Sequence, residues 1–366
     1  MDRVFISDFQ SCLPPYQEAQ SRVLELLADA HERSLAVTKL SIPVRKLVSR
    51  YGVKENHIAS RYFDCADLYL PASERTIYHI DEQNPAGVDI QKQHDFFKVR
   101  SLEVFEKLFD ENSTEPEHLM HVTCTGYISP SAAQRLVARR NWKTNVTHSY
   151  HMGCYASLPT LRMAWGQVKL GQAVDVVHTE MCSLHMNPAL HTPEQLVVQT
   201  LFADGHIKYR VSAKAEDSSF RCLKIKEALV PDSEDDITWL PGPTGMVMNL
   251  SREVPQKIRA HIREFTLDLL GEGPRSTSDL LQNAIFAIHP GGPRIIETVA
   301  EALELKPEQL AHSKEILRTR GNMSSSTLPH IWQAILSSPS EPETPVVSLA
   351  FGPGLTVFGA LFEKVK

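Results

Sequence analysis

The sequence predicts a layered α/β fold built from two halves, and three observations carry that prediction. The chain has 366 residues, 42% of them hydrophobic and 22% charged, a balance that suits a soluble globular protein with a large core. Buried-strand patterns alternate with amphipathic-helix patterns, as they do where sheets are covered by helices. The alternation starts again beyond a polar stretch past the middle of the chain. At about 150 residues per domain, the length fits two domains or one large duplicated unit.

In chain order, residues 17–34 place Val23, Leu24, Leu26, Leu27 and Ala30 at helical spacing with acidic and basic residues opposite, an amphipathic helix for the core. Arg45, Lys46, Arg50 and Lys54, followed by Arg61 and Tyr62, read as a solvated helix face or as an anion-binding entrance. Residues 118–126 form a buried strand ending in a turn, and 146–150 a strand running into His151-Met-Gly-Cys154. Leu158, Leu161, Ala164, Trp165 and Val168 then recur at helical spacing, which sets Cys154 where a strand hands over to a helix. Pro159 fits within the first turns, where the donor it lacks is close to an orphan anyway.

Residues 173–180 are a further buried strand, and Leu201-Phe-Ala-Asp-Gly205 leads to a strand at 207–211. The polar stretches 213–219 and 231–236 join the halves, placed at 1–215 and 216–366. The second half predicts helices at 253–270, 293–302 and 324–336, a strand at 284–289, and a closing strand pair at 346–351 and 355–362.

Composition also excludes. A formal net charge of -6 lacks the basic surface that phosphate backbones demand, which argues against a nucleic-acid partner. No run approaches the roughly 20 apolar residues that cross a bilayer, and the opening Met1-Asp-Arg-Val-Phe-Ile-Ser7 lacks a signal-peptide core, so a cytoplasmic protein without a membrane partner is expected. The six cysteines, Cys12, Cys65, Cys124, Cys154, Cys182 and Cys222, contain no C-x-x-C pair, so neither a metal site nor a disulfide framework is indicated.

Three positions join a reactive side chain to glycine-rich or turn-forming backbone: Gly153-Cys154, His289-Pro-Gly-Gly-Pro293 and Gly321-Asn322-Met-Ser-Ser325. A cysteine beside a helix N-terminus has its thiolate stabilised by free N–H groups, and a neighbouring imidazole lowers its pKa further. Taken singly, Cys154 reads equally as a buried structural thiol, His289 as a structural histidine and Asn322 as a turn residue. Their shared chain order and turn positions favour a common cleft. A papain-like protease uses the same trio at compatible spacing, but Met152-Gly-Cys-Tyr155 lacks that family's cysteine context and its secreted, disulfide-bearing setting.

Together with Leu201-Phe-Ala-Asp-Gly205, Pro231-Asp-Ser-Glu234 and Phe351-Gly-Pro-Gly-Leu-Thr-Val357, these blocks resemble the chalcone and stilbene synthase family, the type III polyketide synthases. The resemblance implies a thiolase-like fold, a duplicated αβαβα layered sandwich working as a homodimer. It places Cys154, His289 and Asn322 on the catalytic motif positions. Cys154 would take an acyl starter from CoA, with His289 holding the thiolate as an ion pair. Malonyl-CoA would lose CO2 while donors from His289 and Asn322 stabilise the enolate oxygen. The enolate carbon would then attack the acyl-Cys154 thioester in a Claisen condensation, and the chain would be cyclised to a pyrone, resorcinol or phloroglucinol-type product.

The same resemblance assigns further positions. Phe202 matches one aromatic gatekeeper, whereas Met248 stands at the second, and a flexible methionine there suits a longer or differently shaped chain. Cys124, Cys182 and His185 fall where plant enzymes carry cavity threonines, Trp239 where they carry a small glycine, and Ser324 beside the asparagine. Trp239 is expected to shrink or reroute the cavity, and His185 either to be a satisfied core histidine or to hydrogen-bond the polyketide. Gly352, Pro353 and Gly354 match the cyclisation-site loop; without the P-loop lysine they are no phosphate cradle. Ser129 matches the residue that reaches into the partner's cavity in the family dimer, and Arg45, Lys46, Arg50 and Lys54 are the candidates for CoA phosphates.

The implied function is thus an acyltransferase using acyl-CoA and malonyl-CoA with no further cofactor, a carrier protein being an optional partner. A single-condensation β-ketoacyl synthase joining two acyl chains is the alternative if Trp239 blocks iteration. A Cys-His-Asn hydrolase and a non-catalytic scaffold are the remaining readings.

Overall fold

The computed structural model describes residues 3–271, 275–339 and 341–365. The strands are β1 (Val4–Cys12), β2 (Tyr16–Ala19), β3 (Ser60–Phe63), β4 (His118–Thr123), β5 (Asn145–Tyr150), β6 (Val174–Met181), β7 (Asp204–Ser212), β8 (Ser219–Leu229), β9 (Ile237–Gly242), β10 (Gly245–Leu250), β11 (Ile285–Ile288), β12 (Pro345–Gly352) and β13 (Thr356–Val365). The α-helices are α1 (Gln20–Thr38), α2 (Val44–Tyr51), α3 (Ile90–Leu108), α4 (Ala132–Arg140), α5 (Ser157–Lys169), α6 (Pro193–Leu201), α7 (Val254–Leu270), α8 (Thr277–Asn283), α9 (Pro293–Leu303), α10 (Ala311–Arg320) and α11 (Thr327–Ser337).

Nine strands make one sheet in the order β11-β12-β13-β8-β1-β7-β6-β4-β5. Outward from the central antiparallel pair β1/β8, both arms repeat one pattern, two antiparallel pairings and then a parallel one. The chain order repeats as well: β4, α4, β5, α5, β6, β7 in one arm, and β11, α9, α10, α11, β12, β13 in the other. Helices α5 and α11 therefore hold equivalent places in a duplicated unit.

The two-residue period of the strands sorts side chains into layers. Met120, Val122 and Val176 point to the same core as Leu158, Leu161, Leu328, Ile331 and Trp332 of α5 and α11, and so do Ala287, Val346, Ala350 and Phe358 from the other arm. The alternate residues Phe286, Ile288, Val347 and Leu349 pack outward on Ile258, Ile262, Ile296 and Val299 of α7 and α9. On the opposite side, Leu119 and Val177 meet Leu102, Phe105 and Leu136 of α3 and α4. The result is the layered αβαβα sandwich, with α5 and α11 in its central layer.

Several boundaries differ from expectation. The first helix starts at Gln20, because Tyr16–Ala19 pairs with β3, and it runs on to Thr38, closed by Lys39 in the left-handed region at φ 59°. The opening apolar residues Val4, Phe5 and Ile6 form a central strand of the sheet. The two polar stretches near the middle bracket the 11-residue strand β8, which continues the sheet between β1 and β13. The basic segment is a helix that buries Val44 and Val48.

Candidate active site

Three chain reversals bring the expected residues together. After β5, Gly153 adopts φ +80°, and a Cβ built there would lie 3.0 Å from Pro353 Cδ, so glycine is what this close turn accepts. The turn leaves Cys154 three residues ahead of the first residue of α5. His289 follows β11, its N–H donating to Leu349 O at 2.8 Å. Asn322 makes an isolated bridge with Phe202: its N–H donates to Leu201 O at 3.1 Å, and its carbonyl accepts from Ala203 N–H at 2.8 Å. The expectation that α11 would begin at Ser324 is refined, since a 3-10 turn over Ser324–Ser326 precedes it.

Cys154, His289 and Asn322 line one cavity. Asn322 Oδ1 accepts from Ser324 N–H at 2.9 Å and from Thr327 Oγ1 at 3.4 Å, which leaves Nδ2 as the free end of the amide. By strict geometry that Nδ2 and both ring nitrogens of His289 are buried with no hydrogen-bond partner among the described residues, although the Asn322 amide lies near enough to Cys154 to favour its thiolate. A buried polar group left unpaired costs about 1–3 kcal/mol, so such groups in a cavity mark where a ligand's polar atoms bind. Cys154 Sγ accepts from Ser324 Oγ at 3.7 Å.

The Cys154–His289 ion pair expected from the sequence is absent from this geometry. Burial pushes the Cys154 thiol up to about 12, against the Ser324 hydrogen bond, and pushes His289 down to about 3. Each side chain alone therefore favours its neutral form, and ionisation of the pair needs their mutual attraction to exceed both desolvation costs.

Of the other expected residues, Phe202, Met248, Cys124, Cys182, His185, Trp239, Ser324, Gly352 and Pro353 line the same cavity. Gly354 does not; it sits one residue beyond, in the turn to β13, in the left-handed region at φ 74°. Trp239 is pinned by its Nε1–H, which donates to Cys124 O at 2.7 Å, and meets the His185 ring edge-on at 5.7 Å. His185 Nε2 donates to Thr125 O at 2.8 Å while Nδ1 accepts from Met246 N–H at 3.2 Å. Burial lowers its pKa to about 4. Of the two roles offered for His185, the bonding fits the satisfied wall residue, not a free donor to a polyketide.

Ser129 lies apart from the cavity, in a surface depression with His94, Asp95, Lys98, Tyr127 and Arg135. Arg50 and Lys54 line a surface groove with His57, Arg259 and Arg294. Pro255 and Arg294 of that groove adjoin the cavity residues Val254 and Ile295 in sequence, so groove and cavity share the starts of α7 and α9. Arg45 is instead tied to Glu32 at 2.6 Å and to Asp29, and Lys46 lies outside the groove lining.

Sequence reasoning missed a buried carboxylate. Glu180, at the end of β6, accepts from Thr125 Oγ1 at 2.8 Å, from Cys124 N–H at 3.1 Å and from Ser325 Oγ. Burial raises its pKa against those bonds. Its signal was an acid near the end of an apolar strand run, a position shared in kind with Asp175 at the strand's start. The apolar wall residues Val198, Ile237, Leu250, Ile258 and Phe351 were also unassigned. Among the described residues no cluster of His, Cys, Asp and Glu could hold a metal ion, and no helix is long and apolar enough to cross a membrane.

A duplicated αβαβα sandwich with a thiol, an imidazole and an amide around one cavity defines a thiolase-like class of protein. Residues 223–366 match the family described as chalcone and stilbene synthases, C-terminal domain. Type III polyketide synthase C of Arabidopsis thaliana is 30% identical over 263 residues, 68% of this chain and 67% of that protein. The chain belongs to the type III polyketide synthase family. Polyketide synthase 37 of Dictyostelium discoideum is also 30% identical over 263 residues, and the chain spans only 9% of that protein's length. Among solved structures, the C-terminal type III polyketide synthase domain of Steely1, a Dictyostelium type I/III hybrid, superposes with a TM-score of 0.82 at 21% identity, covering 100% of both chains.

Proposed function

We propose that the protein is an acyltransferase that extends a Cys154-bound acyl group by decarboxylative condensation of malonyl-CoA. Cys154 attacks an acyl-CoA thioester as His289 takes its proton, and CoA leaves. Malonyl-CoA then loses CO2, and its thioester oxygen gathers the charge between His289 and Asn322 Nδ2. The enolate carbon forms the new bond to the acyl carbonyl, and the Cys154 sulfur departs and recovers its proton. The grown chain returns to Cys154 for another round or closes to a pyrone, resorcinol or phloroglucinol-type ring. The groove with Arg50, Lys54, His57 and Arg294 is the proposed seat of the CoA phosphates, and the working form a homodimer.

One observation carries this reading: two buried, unpartnered hydrogen-bonding groups share an apolar cavity with a thiol. Trp239, fixed across that cavity by its bond to Cys124 O, favours short products and lends weight to a single condensation of two acyl chains as the second reading. The test is incubation with malonyl-CoA and a panel of acyl-CoAs, weighing products and protein by mass spectrometry. Acyl mass on Cys154, lost in Cys154→Ala, is expected; a protein that gains no acyl mass is no synthase. The number of carbons added separates iteration from one condensation.

A further inference from the structure

Cys124 is a second thiol in the cavity, with no part in the condensation just described. Its Sγ lies 2.9 Å from Ser324 Oγ, and the same hydroxyl donates to Cys154 Sγ at 3.7 Å, so one hydroxyl bridges two sulfurs. On its far side, Cys124 Sγ is 3.6 Å from Glu180 Oε2. The carboxylate is held by Cys124 N–H, Thr125 Oγ1 and Ser325 Oγ, which fixes Cys124 from backbone and side chain alike. A cysteine that only fills a core is surrounded by apolar atoms. This one faces a cavity, touches the hydroxyl next to the nucleophile, and has a carboxylate within reach of its proton.

We propose that Cys124 is a second acyl-carrying thiol, which exchanges its acyl group with Cys154 across the Ser324 hydroxyl. The proposal rests on acylation of Cys154 as described above. Cys124 sulfur attacks the carbonyl carbon of the Cys154 thioester, and its proton passes to Ser324 Oγ. The C–S bond to Cys154 breaks, and the Ser324 hydroxyl proton passes to the departing sulfur. One thioester and one thiol enter and leave, so the step is balanced without an outside reagent and close to energetically neutral. In the resting site the Cys124 thiol also reaches Glu180 Oε2, and burial and that carboxylate, which raise its pKa, keep it protonated until it turns its proton from the carboxylate to the Ser324 hydroxyl as it attacks. With a starter on Cys124, Cys154 is free to accept a second acyl group.

Peptide mapping tests this. The protein is mixed with hexanoyl-CoA, quenched in acid and digested, and each cysteine peptide is weighed. Hexanoyl mass is expected on both the Cys154 and the Cys124 peptides of the wild type. Over a series of quench times, Ser324→Ala is expected to slow the growth of Cys124-bound acyl at least tenfold while leaving the final ratio unchanged. Cys154→Ala removes both adducts. Hexanoyl on Cys154 alone in the wild type overturns the exchange while leaving the synthase reading intact. Cys124 loading undiminished in Cys154→Ala overturns it too, since direct acylation needs no exchange. No adduct on either peptide overturns the synthase reading and the exchange with it.

Discussion

At the residue scale, the orientation of one amide decides what the site can do. Asn322 Oδ1 is held by Ser324 N–H and Thr327 Oγ1, so the nitrogen end is the one left for a ligand. A carboxylate there keeps the same two donors satisfied and presents a negative oxygen where the enolate charge would gather. Asn322→Asp is therefore expected to fold and to slow malonyl-CoA decarboxylation by about a hundredfold, near 3 kcal/mol, the usual cost of losing one such donor. CO2 release within a few-fold of wild type would remove Asn322 from the chemistry. His185 gives the opposite expectation. Both its nitrogens are bonded within the wall, so His185→Phe strands the Thr125 carbonyl and the Met246 N–H and is expected to cost about 1–3 kcal/mol of stability in urea unfolding.

At the scale of elements, the site depends on how α6 is finished. Arg61, wholly buried on β3, donates from Nη1 to Gln199 O and Phe202 O and from Nε to Gln20 Oε1. It caps the end of α6 where Phe202 enters the cavity and bridges Asn322. Burial pulls its pKa down to about 9, so the guanidinium is still charged at neutral pH. Arg61→Met is expected to lose about 3 kcal/mol of stability, because charged hydrogen bonds are worth roughly 1.5–3 kcal/mol each and the freed carbonyls are buried. Urea midpoints check this, and an unchanged midpoint would show that the cap is dispensable. Sequence showed the chemistry of this region but not its construction. The buried runs at β4 and β6 and the periodicity of α5 were legible because burial alone fixes them. The β9/β10 hairpin was not. Its Ile237, Trp239, Met248 and Leu250 wall the cavity, yet they are scattered among Pro241, Gly242 and Pro243, and their burial comes from partners distant in the chain. Likewise Arg61 read as part of a basic face, since a charge buried by contacts from 138 and 141 residues away leaves no local pattern.

At the scale of the whole molecule, the duplicated sandwich buries an unusual set of histidines, and their protonation sets its limits in acid. His31 is held down to about 4, His178 to about 3, His185 to about 4 and His289 to about 3; His121 and His330 lie well below the ordinary value, burial being the first cause in each. All six stay neutral in the fold while the unfolded chain takes up protons below about 6.5. Their contribution to stability is thus complete above that pH and is lost as pH falls toward the folded values. Two carboxyls act in the other direction: burial raises Glu180, and raises Asp204 to about 7, so both gain their protons earlier in the fold than in the unfolded chain. The six imidazoles outnumber the two carboxyls, so the unfolded chain binds more protons on balance and the fold loses stability as pH falls below about 6.5. A domain's total stability is only about 5–15 kcal/mol, so a net loss from several buried imidazoles is enough to weaken the fold visibly in mild acid. Melting temperatures measured from pH 7.5 down to 4.5 are expected to fall steeply below 6. A melting temperature constant to pH 5 would mean that these imidazoles are charged or open to water in the folded protein, which removes the dry cavity on which the proposed chemistry at His289 depends.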